Sequence, residues 1–207
     1  MALFQNTTLE RLGEAHGTDK FHHGYLPHYE QHFMSLRGEP ISLLEIGVYH
    51  GGSLALWADY FYNVCATIVG IDIDPACATI PFGDERIKVT IGDVKQATPN
   101  PNGYDIIIDD GSHSATDVLY AFTKYWPLIT PGGWYVIEDF EVHWIAALND
   151  GLADALIATT DEMLHRVLRG TDGEITTIHQ KRAADDSPPS ISELHAYEQI
   201  LFMRKAD

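Results

Sequence analysis

Two apolar runs in this chain of 207 residues end in clusters of acidic side chains. The runs are IIIDDGSH (106–113) and YVIEDF (135–140). Their polar residues are Asp109, Asp110, His113, Glu138 and Asp139. Carboxylates hold oxygen-loving cations, and an imidazole takes up protons near neutral pH. This combination indicates a site of catalysis or of metal binding.

The elements that must position these side chains are short apolar segments, nearly continuous in apolar character and rich in β-branched residues. Such segments predict strands buried on both faces. They are ISLLEIGV (41–48), ATIVGIDI (66–73), RIKVTIGD (86–93), YDIIIDDG (104–111) and GGWYVIED (132–139). Apolar residues at helical spacing lie between them, in 53–62 and 115–129. Strands that alternate with helices form parallel βαβ units, so we expect an α/β fold.

The remaining segments complete the expected fold. Residues 1–40 read as a helical cap before a Rossmann-like core over 41–207, and we predict a single domain. Residues 151–170 predict a helix that Gly170 ends, and the polar, proline-containing segment 180–194 predicts a loop. HAYEQILFMRK (195–205) predicts a final strand. The fold class is therefore a doubly wound, mostly parallel seven-stranded sheet with an N-terminal helical extension.

The two acidic clusters should meet at one edge of this sheet, because the strands they follow are expected to be neighbours. Asp109 and Asp110 point to opposite faces, so one of them should face the cleft more directly. Carboxylates this close raise one another's pKa values unless a basic side chain or a cation neutralises them. The nearby sequence offers no arginine, and oxygen ligands favour Mg²⁺, Mn²⁺ or Ca²⁺ over zinc. Helix capping by these acids is the alternative.

His113 follows Asp110 by three residues and should face the same cleft. A histidine with a pKa near neutrality can accept a proton from a substrate hydroxyl. Histidine is also common in polar turns. The neighbouring acids and the expected cofactor cleft favour a general base.

A second cluster follows the first strand, in LLEIGVYHGGSLALW (43–57). Dinucleotide-binding loops need a glycine where this loop has Tyr49, so the loop does not suit a diphosphate. The glycines could equally serve close packing of a helix on a strand. Asp72 and Asp74 end the second strand, where a ribose-binding acid is expected, and Asp93 ends the third, near an adenine amino group. A nucleoside without phosphates fits this set, and S-adenosylmethionine is the leading candidate.

Composition narrows the class of partner. The formal net charge is −17, and such a surface repels nucleic-acid backbones and anionic lipid. The N-terminus has neither the basic start nor the apolar core of a signal peptide, and no segment is long and apolar enough to span a membrane. We therefore expect a cytoplasmic protein that acts on a small molecule.

With these residues assembled, the chain resembles the class I S-adenosylmethionine-dependent methyltransferases. More specifically, it resembles the metal-dependent O-methyltransferases of macrolide and rhamnosyl-polyketide sugars. DDGSH (109–113) with PGGWYVIED (131–139) is the most specific part of the resemblance, which also includes HGTDKFHHGYLPHYEQHF (16–33), the loop at 43–57 and the closing strand.

The resemblance implies a role for each matching residue. It assigns metal ligation to Asp110, Glu138 and Asp139, with Mg²⁺ or Mn²⁺ as the cation, and the base role to His113. It assigns the ribose to Asp72 and the adenine end to Asp93. The full set of cofactor-binding residues expected is Thr18, Lys20, Tyr25, Glu45, Gly47, Tyr49, Ser53, Asp72, Asp93 and Asp110.

The chain departs from that family in length, because the sugar methyltransferases carry an additional N-terminal domain. The fold and the reaction type carry over without it, whereas the glycoside substrate and a family-style tetramer do not follow. Two other functions stay open. One is carboxyl methylation of small acids, which needs no base because the acceptor is already ionised. The other is a non-catalytic module that binds the cofactor.

Overall fold

The computed structural model describes residues 7–139, 176–179, 191–197 and 199–207. The chain divides into two compact units, Met1–Val94 and Lys95–Asp207. Each is described separately below.

The first unit is a parallel three-stranded sheet with helices. Its strands are β1 (Ser42–Ile46), β2 (Thr67–Asp72) and β3 (Ile87–Ile91), in the order β3-β2-β1. Its helices are α1 (Thr8–His16), α2 (Leu26–Phe33) and α3 (Gly52–Tyr60), with 3₁₀ turns at Asp19–Phe21, Met34–Leu36 and Pro75–Thr79. Because α3 connects the parallel strands β1 and β2, the predicted βαβ unit is present here.

Local sequence explains where the helices begin and end. Thr7 and Glu10 form a capping box at the start of α1, in which each side chain accepts a hydrogen bond from the other residue's backbone N–H. Gly17 ends α1 in a left-handed conformation, with φ 65°. Helix α3 packs through Trp57, which is fully buried against the aromatic rings of Tyr29 and Phe33. Helix α2 is thereby anchored on α3.

The second unit combines a parallel pair with an antiparallel extension. Its elements are β4 (Tyr104–Asp109), α4 (Ala115–Tyr125), a 3₁₀ turn (Trp126–Leu128), β5 (Ile129–Glu138), β6 (Thr176–His179), β7 (Ile191–Ala196) and β8 (Ile200–Lys205). The order is β4-β5-β8-β7-β6, with β4 and β5 parallel and the other pairs antiparallel. The isoleucines at 106–108 are fully buried, as expected for a central strand.

The predicted strands and helices of the βαβ region are confirmed, with ends displaced by a few residues. The C-terminal strand predicted over 195–205 is confirmed for its second half, Ile200–Lys205, and is wrong for its first half, because residues 195–196 end a separate strand, β7, that pairs antiparallel with β8. The described residues therefore hold eight strands where seven were expected. The predicted loop at 180–194 is wrong over its last residues, 191–194, which lie in β7. The rest of that loop and the predicted helix at 151–170 lie outside the described residues.

Among the described residues, no helix combines the length and the apolar character that a membrane span needs.

Candidate functional site

The acidic cluster lies in the second unit, at the carboxyl ends of β4 and β5. The two strands are paired in parallel, with Asp109 opposite Ile137, so the residues that follow them emerge side by side. His113 Nε2 lies 3.2 Å from Asp110 Oδ1, and His113 Nδ1 lies 3.2 Å from Asp139 Oδ2. One ligand atom from each of these three residues falls within 4.8 Å of the others. The histidine therefore stands between two carboxylates.

The backbone is unusual at this cluster. Among the described residues, three that are not glycine have a positive φ: Tyr49 at 49°, His113 at 53° and Asp139 at 50°. Residues other than glycine rarely adopt a backbone conformation with positive φ. Two of the three residues belong to the acidic cluster, and the third is the exposed tyrosine of the loop after β1.

The two carboxylates change the protonation of His113. The hydrogen bond with Asp110 has the largest effect and raises the pKa of the imidazole above its usual value, with a further contribution from the charge of Asp139. Partial burial acts in the opposite direction. A proton taken up by His113 is therefore stabilised by its surroundings.

Asp109 and Asp110 occupy different environments, as their alternation along the strand predicts. Asp109 is 4% exposed and accepts a hydrogen bond from the Tyr135 hydroxyl at 3.3 Å. Burial raises the pKa of Asp109 to about 7. Asp110, which is partly exposed, is the member of the pair that contacts His113. Asp109 lies beneath the cluster.

The predicted metal ligands also differ in their exposure. Asp110 and Asp139 belong to the group that could hold an ion, and His113 is its third member. Glu138, at the end of β5, is 2% exposed. Its role as a ligand stays a prediction, while the sequence had assigned His113 only the base role.

Helix capping does not account for the acids after β4. Helix α4 begins after Ser114, whose side chain makes no capping hydrogen bond. The first turn of α4 instead has Asp117, which accepts a hydrogen bond from the Ser112 hydroxyl at 2.8 Å. Asp110 Oδ1 lies within hydrogen-bond distance of His113 Nε2.

The loop after β1, in the first unit, is organised around Asp72. Asp72 Oδ2 accepts hydrogen bonds from the backbone N–H groups of Val48 at 2.8 Å and Tyr49 at 3.1 Å. Asp72 Oδ1 accepts one from the N–H of Asp74 at 2.8 Å. Burial of Asp72 raises the pKa of its carboxyl, but the backbone hydrogen bonds outweigh burial and leave that pKa below its usual value. Asp72 therefore fixes the loop, and its side chain remains partly exposed.

The residues predicted to bind the cofactor differ in accessibility. Gly47, Asp72 and Asp93 are partly exposed, and Tyr49 is 71% exposed. The buried members are Thr18, Lys20, Tyr25, Glu45 and Ser53. Asp110 lies in the second unit. The structure thus places four of the predicted residues where a ligand can reach them in the first unit, and their binding roles stay predictions.

An ion pair that the sequence did not predict links two of the buried residues. Lys20 Nζ lies 3.1 Å from Glu45 Oε1, and both side chains are at most 1% exposed. The Ser53 hydroxyl donates to Glu45 Oε2 at 2.8 Å. The separation of 25 residues between Lys20 and Glu45 leaves no local sequence signal for this contact.

The central segment of the chain is similar to a known family. Residues 44–140 match the family model described as a methyltransferase domain. The chain is 31% identical, over 212 aligned residues, to the 8-demethyl-8-alpha-L-rhamnosyl tetracenomycin-C 2'-O-methyltransferase of Streptomyces olivaceus. That alignment covers 95% of this chain and 54% of the relative. The Mycinamicin VI 2''-O-methyltransferase of Micromonospora griseorubida is 29% identical, with 95% and 52% covered.

The chain is also similar to solved structures. The MycE methyltransferase of the mycinamycin pathway, in complex with Mg, SAH and mycinamycin VI, superposes with a TM-score of 0.73 at 27% identity. The superposition covers 98% of this chain and 54% of MycE. The fold is therefore the Rossmann-like one expected. The chain spans about half the length of the curated relatives it matches.

Proposed function

Since this chain contains a methyltransferase domain and is a homologue of macrolide and rhamnosyl sugar O-methyltransferases, we propose that it transfers a methyl group from S-adenosylmethionine to a hydroxyl of a small natural-product or sugar acceptor. The observation that carries the proposal is His113 held between Asp110 and Asp139. A site that only binds a nucleoside needs no such arrangement.

In this proposal, the accessible residues of the first unit form the cofactor site. Asp72 receives the ribose hydroxyls, and Asp93 the adenine amino group. The loop from Gly47 to Gly51 accepts the methionine part of the cofactor, because Tyr49 occupies the place where a diphosphate would need glycine.

The donor set of the second unit fits a divalent cation. The carboxylate oxygens of Asp110 and Asp139 lie within 4.8 Å of one another, which matches the spacing of neighbouring ligands around one ion, about 3–5 Å. Asp110 and Asp139 would hold Mg²⁺ or Mn²⁺, with Glu138 as a further ligand. When bound, the cation lowers the pKa of an acceptor hydroxyl and orients it.

His113 is the proton acceptor of the proposal. Each ring nitrogen faces a carboxylate, so the imidazolium formed on proton uptake is stabilised by Asp110 and Asp139. The methyl group then moves from sulfur to the acceptor oxygen in one displacement, with alignment of the two reactants supplying much of the acceleration.

Carboxyl methylation is the second candidate function. A carboxylate is ionised near pH 7 and needs no base, so the environment that raises the pKa of His113 would serve only to hold the acid. That environment favours the hydroxyl acceptor. The net charge of −17 also favours a neutral or cationic small molecule over a nucleic acid, an anionic membrane or an organic anion. A cytoplasmic location and a homo-oligomer are further parts of the proposal.

The test measures methyl transfer from labelled S-adenosylmethionine to a panel of glycosides, hydroxylated aglycones and small carboxylic acids, with Mg²⁺ or with EDTA. We expect Mg²⁺-dependent transfer to a hydroxyl, reduced roughly 10²–10⁴-fold by His113→Ala. Cofactor affinity should stay unchanged. The matched control is His22→Ala, which removes an exposed histidine and should leave the rate unchanged.

Three results would contradict parts of the proposal. An unchanged rate for His113→Ala on a hydroxyl acceptor removes the base role. Transfer that survives EDTA removes the metal. Cofactor binding with no transfer to any acceptor identifies a non-catalytic module.

A further inference from the structure

The buried ion pair between Lys20 and Glu45 joins three separate parts of the first unit. Lys20 lies in the 3₁₀ turn Asp19–Phe21, Glu45 in β1 and Ser53 in the first turn of α3. Glu45 contacts Lys20 through Oε1 at 3.1 Å and Ser53 through Oε2 at 2.8 Å. One carboxylate therefore ties the N-terminal segment to both a strand and a helix.

Burial decides what these side chains can do. Lys20 is 1% exposed and Glu45 is not exposed at all, so a ligand cannot reach either one in this arrangement. Direct contact with a cofactor, which the sequence resemblance implied for both, does not fit this geometry. Their effect on a ligand must pass through the residues that they hold.

The residues that they hold are the two ends of the loop after β1. Glu45 precedes Gly47 by two residues, and Ser53 follows Gly51 by two. The hydrogen bond between Ser53 and Glu45 therefore closes the loop at its base. Asp72 fixes the middle of the loop through the backbone of Val48 and Tyr49.

The N-terminal segment lies directly on the start of α3. A Cβ atom added to Gly52 would lie 2.9 Å from the backbone oxygen of His16 and 3.3 Å from the backbone nitrogen of Thr18. Such distances leave no room for a side chain at Gly52. The backbone of residues 16–18 therefore approaches α3 closely, two residues before Lys20 inserts its ammonium group beside Glu45.

We propose that Lys20 and Glu45 are positioning residues for cofactor binding, which lock the N-terminal segment onto the base of the loop at 47–51 and so preset the loop's shape. The inference rests on the proposed function, because it takes S-adenosylmethionine or its product as the ligand. It adds that the N-terminal segment sets cofactor affinity without touching the cofactor.

The physical reason is the asymmetry of buried charge. Removing one member of a buried pair leaves an uncompensated charge and strongly destabilises a fold, whereas replacing both by apolar side chains of similar size is often neutral. The double replacement therefore separates positioning from stability. It keeps the packing and removes the acceptor that holds Ser53.

The experiment compares Lys20→Met, Glu45→Met, the double variant Lys20→Met/Glu45→Met and Ser53→Ala. Thermal unfolding and the Kd for S-adenosylhomocysteine, by calorimetry, are measured for each. Both single variants should unfold at lower temperature and bind more weakly, by roughly tenfold, as is typical when support behind a binding group is lost. The double variant should recover most of the unfolding temperature and still bind several-fold more weakly, and Ser53→Ala should bind more weakly in the same way.

The control is His16→Gln, which removes an exposed ion pair between α1 and α3 (His16 Nε2 to Asp59 Oδ2, 2.7 Å) and should leave the Kd unchanged. A double variant that regains both stability and wild-type affinity overturns the inference. If the double variant does not fold, wild-type affinity in Ser53→Ala overturns it. Failure of the wild-type protein to bind S-adenosylhomocysteine instead contradicts the proposed function, so the two failures are distinguishable.

Discussion

Asp109 and Asp110 are adjacent in the chain, and the period of a strand sends them to opposite sides. Asp110 reaches His113, whereas Asp109 is buried against Tyr135. Burial of a carboxyl disfavours its charged form, which is why the pKa of Asp109 rises to about 7. The neighbouring residue, being partly exposed, is the one suited to a cation.

We predict that Asp109→Asn stabilises the protein increasingly as pH rises. The unfolded chain ionises this carboxyl above about pH 4, whereas the folded protein keeps it neutral up to about pH 7. Between these values the unfolded state loses a proton that the folded state keeps, so wild-type stability falls as pH rises and levels off above pH 7. The asparagine variant avoids this loss, which amounts to at most about 4 kcal/mol.

Urea unfolding of both proteins at pH 4.5, 6 and 8, with EDTA present, measures the difference. The advantage of Asp109→Asn should grow across this range. A difference in unfolding free energy that is independent of pH contradicts a raised pKa for Asp109.

The side chains at the candidate site were predictable to different degrees. Asp110, His113 and Asp139 follow apolar runs directly, so strand pairing alone brings them together. The position of His113 between the two carboxylates depends on a left-handed backbone conformation at this residue, which its type does not predict. The Lys20–Glu45 pair depends on how the N-terminal segment docks, which the local pattern does not encode.

Arg86 fixes the C-terminal end of α3. Its Nη1 donates to the carbonyl oxygens of Phe61 at 2.5 Å and Asn63 at 2.9 Å, and its Nη2 donates to that of Ala58 at 2.5 Å. Asp84 holds the guanidinium in place through both carboxylate oxygens. A cation at this end is also favoured by the helix dipole.

We predict that Arg86→Met lowers the free energy of unfolding by about 2 kcal/mol at pH 7, because helix carbonyls lose charged donors. The hydrogen bond from Arg86 holds the pKa of Asp84 below its usual value. A lowered carboxyl pKa contributes stability above the unfolded pKa and loses it as pH falls through the folded one. The effect of Arg86→Met should therefore shrink below about pH 4.

Denaturant titrations at pH 7 and pH 3 provide the measurement. Arg11→Met, on the exposed side of α1, is the control and should change stability by less than about 0.5 kcal/mol. An effect of Arg86→Met no larger than that of the control would show that the arginine does not support α3.

Hydrophobic patterning predicted the elements that obey a single period. The parallel strands are continuous apolar runs, and their helices repeat every three to four residues, so both were recognisable. The C-terminal hairpin was not, because the turn between Tyr197 and Ile200 lacks glycine, proline and asparagine. Without those turn residues, the segment 195–205 reads as one apolar strand.

The large negative charge affects the molecule as a whole. With a formal charge of −17, like charges repel one another across the folded surface, and salt screens this repulsion. Thermal stability should therefore rise with NaCl whatever the function. A bound divalent cation would add a separate, specific contribution.

We predict that MgCl₂ raises the unfolding temperature more than NaCl does at equal ionic strength. At a free concentration of about 100 times Kd, binding to the folded state contributes about 2.7 kcal/mol, or roughly 5–10 °C for a chain of this size. Differential scanning calorimetry measures the two series. In Asp110→Asn/Asp139→Asn the two salts should give equal unfolding temperatures, and a surviving difference would place the cation elsewhere.

The left-handed conformations of Tyr49, His113 and Asp139 have a consequence for engineering. Each such conformation stores about 1–3 kcal/mol of strain in a residue with a side chain, and glycine would release it. Selection for heat resistance alone would therefore favour glycine at these positions. At 113 and 139 it would remove the imidazole and one of the carboxylates beside it. We expect thermostability and turnover to be opposed at these positions, with further stability better sought elsewhere in the fold.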